Sequence, residues 1–197
     1  MKGRESGMPE EAYWESFFDA ARVLEALVGS QPMVGDVVEF GCGYGTFTLA
    51  QAAHTTGTVT TLDIDPLMVA RTRERAASQR LENVVVSERD FIAHGTGLPD
   101  GSQELALVFN LLHIEDPLAL LAEAHRVLHV GARLAVIHWR SDIPTPRGPS
   151  LDIRPTPEQC AAWMAQAGFG DIRNVDVTSG SPFHFGLVAR RRGTDES

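Results

Sequence analysis

The sequence has little of the chemistry used by disulfide-rich, metal-binding or polyanion-binding proteins. Its two cysteines, Cys42 and Cys160, show no Cys-x-x-Cys or Cys/His spacing, so we expect reduced thiols and no bound metal. Lys2 is the only lysine, and the formal net charge is -9. Because phosphate binding depends on clustered basic residues, these features argue against a nucleic-acid partner.

Long apolar runs are also missing. No segment approaches the length of a membrane span, and the first residues, MKGRESGMPEEAYWESFF, carry acids where a signal peptide needs an apolar core. We therefore expect a cytoplasmic protein without a membrane partner. A chain of 197 residues suits one domain, and its composition leaves monomer and homodimer open.

The chain instead contains apolar runs of strand length that alternate with helix-like segments. The runs lie at 34–40, 59–64, 84–87, 105–111 and 134–139. Strands that alternate with helices predict crossover connections and a parallel sheet buried on both faces, an α/β fold. After Gly168, IRNVDV and FHFGLVAR are joined by the short TSGSP, which predicts a hairpin whose last strand runs antiparallel.

Helix starts are marked by capping residues. Asp65-Pro66 and Asp116-Pro117 each place an Asp N-cap before a first-turn proline, and Thr156 opens a capping box with Gln159. Apolar residues at helical spacing, from Leu120 to Leu128, predict a helix that ends before Gly131.

The stretch VVEFGCGYGTFT, residues 37–48, ends an apolar run in three glycines, and we expect a helix to begin near Thr46. Such a turn lets a ligand approach the main chain, because glycine has no Cβ. Asp63 ends the next predicted strand, at the distance where a carboxylate meets ribose hydroxyls in nucleotide sites. The alternative is a tight strand-to-helix turn with no ligand.

Two details separate the candidate ligands. A dinucleotide site prefers G-x-G-x-x-G, whereas here the third glycine comes one residue early. Glu39 precedes the loop, and a carboxylate there would repel a diphosphate but suit the ammonium and sulfonium charges of S-adenosylmethionine.

These motifs resemble the class I S-adenosylmethionine-dependent methyltransferases, in particular the small-molecule branch labelled methyltransferase domain 11 or 25. The likeness runs from about residue 34 to 190 and includes TLDIDPLMV and the long stretch from ERDF to VIHW. It implies a Rossmann-like doubly wound seven-stranded sheet, order 3-2-1-4-5-7-6, with strand 7 antiparallel and helices on both faces. It also implies an N-terminal helical lid (1–33), a methyltransferase domain (34–192) and a polar tail (193–197).

The resemblance assigns cofactor-binding roles by position. The glycine loop would line the methionine and ribose portions, Glu39 would lie near the amino acid end, and Asp63 would accept from the ribose hydroxyls. Ile64 and Phe91 would pack near adenine or belong to the core, and Asp90 would receive the adenine amino group. The implied cofactor residues are Glu39, Gly41, Cys42, Gly43, Gly45, Asp63, Ile64, Asp90, Phe91, Asn110 and Leu111.

Methyl transfer requires an aligned nucleophile, and a base only where the acceptor must lose a proton. His113, after the fourth strand, and His138, near the end of the fifth, are the candidate catalytic residues, since histidine takes a proton near neutral pH. A polar-rim role for His113 and a strand-end role for His138 are the alternatives.

Acceptor contacts are expected from two segments. In this family an N-terminal helix often lids the pocket, so Trp14 and Phe17 are candidates, although such aromatic stripes also form cores. The proline-rich loop after the fifth strand carries Arg140, Arg147 and Arg154, which either bind an anionic acceptor group or pair with Asp142 and Asp152.

The predicted function is methyl transfer from S-adenosylmethionine to an O, N or C atom of a small molecule, with S-adenosylhomocysteine as product. One alternative is a non-catalytic S-adenosylmethionine-binding or regulatory protein. An NAD-dependent oxidoreductase is the other, and the early third glycine and Glu39 argue against it.

Overall fold

The computed structural model describes residues 7–193, and seven strands form its one sheet. The order is β3-β2-β1-β4-β5-β7-β6, in which β7 is antiparallel to β5 and β6 while the pairs among β1 to β5 are parallel. The fold expected from the resemblance is confirmed. The strands are β1 (Val37–Phe40), β2 (Val59–Asp63), β3 (Val84–Glu88), β4 (Gln103–Phe109), β5 (Leu128–Trp139), β6 (Phe169–Val175) and β7 (His184–Arg191).

Seven helices surround the sheet in the described residues, and the predicted caps form. Asp65 accepts from Leu67 N, Asp116 accepts from Ala119 N, and Thr156 forms the capping box with Gln159. The helices are α1 (Glu11–Glu15), α2 (Ala20–Val28), α3 (Thr46–Ala52), α4 (Pro66–Ser78), α5 (Phe91–His94), α6 (Pro117–Val127) and α7 (Pro157–Gln166).

The central strands are apolar at successive positions because both faces of the sheet are covered. On β5, Leu134 and Val136 pack with α6 and α7, whereas Ala135 and Ile137 pack with α2 and α3. The period-2 alternation of a strand thus divides one apolar run between two cores. The carboxyl ends of β1, β2, β4 and β5 meet at one edge of the sheet.

Some predicted boundaries are wrong. The helix expected to include Leu128 and to end before Gly131 ends at Val127, because Leu128 is extended and begins β5 opposite Gln103. Leu128 is buried either way, so apolar spacing did not distinguish the two structures. The run 105–111 is strand only to Phe109, since Asn110 has a φ of 57° and turns the chain.

The N-terminal segment has two parts. Helix α2 buries Val23, Leu24 and Leu27 in the core, while α1 lies nearer the carboxyl edge. Residues 1–6 of the expected lid and 194–197 of the expected tail lie outside the described residues. Within residues 7–193, no helix is both long and apolar enough to cross a bilayer.

Candidate functional site

A cleft of about 450 Å³ opens at the carboxyl edge of the sheet, over the glycine loop between β1 and α3. Most of the predicted cofactor residues line it, together with His113, Trp14 and Arg147. The cleft therefore lies where ligands bind in doubly wound sheets, beyond the carboxyl ends of the strands.

Gly41 and Gly43 form the floor of the cleft, and Asp63 holds the loop in place. A Cβ on Gly41 would lie 3.3 Å from Leu111, and one on Gly43 would lie 3.1 Å from Met8. The two carboxylate oxygens of Asp63 accept from Gly43 N and Asp65 N, each at 3.0 Å. Burial raises the pKa of Asp63, and these two N–H donors oppose that effect.

Gly45 does not line the cleft, although the motif grouped it with the other two glycines. It is the N-cap of α3 with a φ of 78°, and a Cβ there would lie 2.9 Å from Thr72 Cγ2. The residue is glycine because α3 starts in a left-handed conformation against α4. Its smallness thus serves helix packing.

Glu39 lines the cleft but is only 2% exposed. Its Oε2 accepts from the hydroxyls of Thr48 and Thr61. Burial outweighs these bonds and raises the pKa of Glu39 to about 8, so the carboxyl is mostly protonated at neutral pH. The expected repulsion of a diphosphate by a charged Glu39 therefore needs revision, because this carboxyl is mostly neutral without a ligand.

The remaining predicted cofactor residues also line the cleft. Ile64 and Leu111 line the cleft, Phe91 also packs edge-on against Phe40 at 5.4 Å, and Asp90 also caps α5 through Ala93 N. Cys42 is a buried, free thiol whose pKa is raised by burial, which makes it unreactive.

Two polar groups in the cleft have no hydrogen-bond partner among the described residues. These are both amide atoms of Asn110 and the hydroxyl of Thr46, and all three atoms are buried. Because an unpaired buried polar group is costly, the pair indicates that the cleft receives a polar ligand.

The two candidate catalytic histidines lie together. His113 lines the cleft, and its Nδ1 is 3.2 Å from Nε2 of His138. His138 is fully buried behind it and does not line the cleft. Burial lowers the pKa of His138 to about 3, so it does not take a proton near neutral pH.

Of the two N-terminal residues predicted to contact the acceptor, only one lines the cleft. Trp14 lines the cleft with Met8, whereas Phe17 is buried against Trp139, 5.3 Å between ring centroids. Helix α1 is held over α4 by Arg71 and Arg75, which form ion pairs with Glu11 and Glu15.

The arginines of loop 140–156 also differ. Arg147 lines the cleft and donates to Gly7 O at 2.5 Å. Arg140 lies outside it, paired with Asp142. Arg154 is buried and donates to the carbonyls of Pro149 and Arg140, so it organises the loop.

Sequence reasoning missed several residues that line the cleft or support it. Thr61, which holds Glu39, has a signal only through strand register, because it pairs with Glu39 across β1 and β2. Met8, Thr46, Met68, Arg89 and Pro149 line the cleft without a motif of their own. Their placement depends on contacts between distant segments.

Comparison with known proteins accords with this geometry. Residues 37–131 match the family model described as "Methyltransferase domain". An uncharacterized 37.1 kDa protein in transposon TN4556 of Streptomyces fradiae is 32% identical over 167 residues, which cover 78% of this chain and 46% of that protein. The chain thus spans less than half of that relative.

Solved structures share the fold. A SAM-dependent methyltransferase from Aquifex aeolicus has a TM-score of 0.75 at 23% identity, covering 91% of this chain and 93% of that one. Geranyl diphosphate C-methyltransferase from Streptomyces coelicolor A3(2) has a TM-score of 0.71 at 16% identity, covering 94% and 86%. The [4+2]-cyclase SpnF also has a TM-score of 0.71, at 19% identity, covering 88% and 79%. Residues 37–131 thus match a methyltransferase domain, and the chain has the fold that these solved structures share.

Proposed function

We propose that the protein is an S-adenosylmethionine-dependent methyltransferase that acts on an O, N or C atom of a small molecule. The observation that carries the proposal is one cleft that holds the glycine loop, the Asp63 carboxylate and the His113 imidazole. Its volume of about 450 Å³ is typical of small-molecule sites, which span ~300–1,000 Å³. The neighbour solved with geranyl diphosphate and S-adenosylhomocysteine supports a small acceptor.

The residues present fit S-adenosylmethionine. A carboxylate has about four lone-pair sites, and Asp63 uses two for backbone N–H groups, which leaves capacity for ribose hydroxyls. The orphaned groups of Asn110 and Thr46 accord with a polar ligand. Glu39 would lose its proton beside the ligand's ammonium group.

When bound, S-adenosylmethionine supplies a methyl group on an electron-poor sulfonium. The protein's own residues then have three tasks, which are to bind, to exclude water and to orient the acceptor. Trp14 and Met8 would cover the cleft, Arg147 would contact an acceptor with an anionic group, and His113 would take a proton where the acceptor loses one.

We also infer a cytoplasmic location and no nucleic-acid partner. Two free, buried cysteines accord with a reducing compartment, and the net charge of -9 opposes contact with a polyanion. A monomer or homodimer remains our expectation.

The test is calorimetric titration with S-adenosylhomocysteine and, separately, with NAD. We expect micromolar binding of the first, none of the second, and at least tenfold weaker binding by Asp63→Ala, since hydrogen bonds to charged groups contribute about 1.5–3 kcal/mol. Asp142→Ala is the matched control, because this carboxylate is exposed and outside the cleft.

Three results would overturn the proposal. Folded wild-type protein that binds neither ligand would favour a degenerate or partner-dependent site. Binding of NAD instead would favour an oxidoreductase. Binding of S-adenosylhomocysteine with no acceptor in a broad methylation screen would favour a non-catalytic binding protein.

A further inference from the structure

A pair of histidines connects the cleft to the interior of the sheet. His113 lies in the turn after β4 and lines the cleft, while His138 lies on β5 and is 0% exposed. Nδ1 of His113 and Nε2 of His138 are 3.2 Å apart, which is hydrogen-bond distance. One of these two nitrogens carries the hydrogen and the other accepts it.

The second ring nitrogen of His138 decides the direction. Its Nδ1 lies 3.3 Å from the carbonyl oxygen of Trp139, and a carbonyl only accepts, so this Nδ1 carries the hydrogen. A neutral imidazole has one N–H, which makes Nε2 of His138 the acceptor. Nδ1 of His113 is therefore the donor.

This hydrogen-bond direction holds when His138 is neutral, and the surroundings of His138 keep it neutral. His138 interacts electrostatically with three described groups, which are His113, Arg154 and His184. None of the three is an acid. Phe185 stacks on its other side, with ring centroids 6.2 Å apart. Burial, followed by His113 and Arg154, lowers the pKa of His138 to about 3.

We propose that His138 is a positioning residue that holds His113 in its Nδ1–H tautomer, so that the lone pair of His113 Nε2 serves as general base toward the methyl acceptor. The inference rests on the proposed function. Nε2 lies on the edge of the ring opposite the bond to His138. A base-oriented imidazole is ordinarily held by a carboxylate, whereas here a neutral histidine takes that place.

The proton transfer balances. An acceptor O–H or N–H passes its proton to Nε2, and the electron pair of the broken bond remains on the acceptor atom. His113 becomes an imidazolium with hydrogen on both nitrogens, and its Nδ1–H stays bonded to His138. No rearrangement of the pair is needed. The dyad therefore favours acceptors that must lose a proton, such as phenols, enols and amines.

The test is a nitrogen NMR spectrum of protein labelled with ¹⁵N-histidine, with His113 assigned through His113→Gln. We expect the Nδ1–H tautomer at His113 in the wild type, which is the minor form in free histidine. His138→Leu should convert it to the Nε2–H form, since the acceptor is lost. His138→Gln should retain the Nδ1–H form, because the amide oxygen can accept in place of Nε2.

An Nε2–H tautomer at His113 in the wild type would overturn the proposal without any variant, so the test survives a variant that fails to fold. An unchanged tautomer in folded His138→Leu would also overturn it. If His138 had a purely structural role, His138→Leu and His138→Gln would leave His113 in the same tautomer.

The proposed function fails in a different way. If the wild type bound no S-adenosylhomocysteine in the calorimetric titration, there would be no methyl-transfer reaction for His113 to serve as base, whatever its tautomer. Binding together with the wrong tautomer would overturn the dyad alone. With an acceptor in hand, His138→Leu should lower kcat about 100-fold with little change in KM, and His138→Gln should recover most of it.

Discussion

The hydroxyl of Thr61 on β2 donates to Oε2 of Glu39 on β1 over 3.0 Å, and the two residues are register partners in parallel strands. Thr48 on α3 donates to the same oxygen. Burial still outweighs both bonds, and the pKa of Glu39 rises from 4.5 to about 8. The cleft therefore contains a carboxylic acid in the pH range where an exposed glutamate is a carboxylate.

This pKa makes stability depend on pH. The unfolded chain ionises at 4.5, so the stability that protonated Glu39 confers is complete below 4.5 and declines as pH rises toward 8. We expect the wild type to lose about 2 kcal/mol between pH 6.5 and 8 from this group, and Glu39→Gln to lose none of it. Urea unfolding across that range measures the difference.

Glu82→Gln, at an exposed residue before β3, is the control and should keep the wild-type slope. Equal slopes in the wild type and Glu39→Gln would show that Glu39 is already ionised in the folded protein. A charged Glu39 would then repel a diphosphate, as the sequence predicts.

His138 makes the stability of the protein depend on pH in the acid range. Its folded pKa is depressed from 6.5 to about 3, so the unfolded chain takes up a proton that the folded protein refuses, and stability falls as pH drops below 6.5. Relative to the wild type, His138→Gln should gain about 2 kcal/mol between pH 6.5 and 5. Denaturant unfolding of both proteins gives the difference.

His129 provides a control of opposite sign. Its hydrogen bond to Glu104 raises its pKa, so the stability it confers is present below pH 6.5 and is lost as pH rises. His129→Gln should therefore lose stability in acid relative to the wild type. If both variants shifted in the same direction, general charge effects would explain the result.

Substitution of Gly45 tests whether this glycine is needed for packing against Thr72 or for contact with a ligand. Gly45→Ala should cost about 1–3 kcal/mol of stability, from the left-handed backbone and the 2.9 Å approach to Thr72. Adding Thr72→Ser to Gly45→Ala should recover part of the loss. No recovery in the double variant would show that Thr72 is not the constraint.

Substitution of Asn110 should change ligand affinity without changing stability. Its φ of 57° suits glycine, and its amide has no partner among the described residues, so Asn110→Gly should not destabilise the free protein. S-adenosylhomocysteine should bind about tenfold more weakly, since two hydrogen bonds of ~0.5–1.5 kcal/mol are lost. Calorimetry beside thermal unfolding checks both.

Arg80→Gly is the matched control, because Arg80 has a φ of 56°, is exposed and does not line the cleft. It should leave affinity unchanged. Unchanged affinity in Asn110→Gly as well would place the ligand's polar atoms elsewhere.

Much of the fold could be predicted because its signals are local. Asp65 and Asp116 mark helix starts by capping, and the alternating runs indicate a parallel sheet. The boundary at Leu128 was missed because a buried leucine satisfies helical spacing and strand burial equally. His113 and His138 were each noticed, but nothing across 25 residues of sequence indicates that their rings meet.

The sequence by itself determined the glycine loop, the acid that ends the second strand and the hairpin that ends the sheet, since backbone freedom, capping and apolar period depend on near neighbours. Tertiary structure alone decided that burial raises the pKa of Glu39, that Gly45 packs against Thr72, and that His138 lies behind His113. Desolvation and hydrogen-bond direction depend on which distant segments pack around a group, and a spacing pattern does not contain that information.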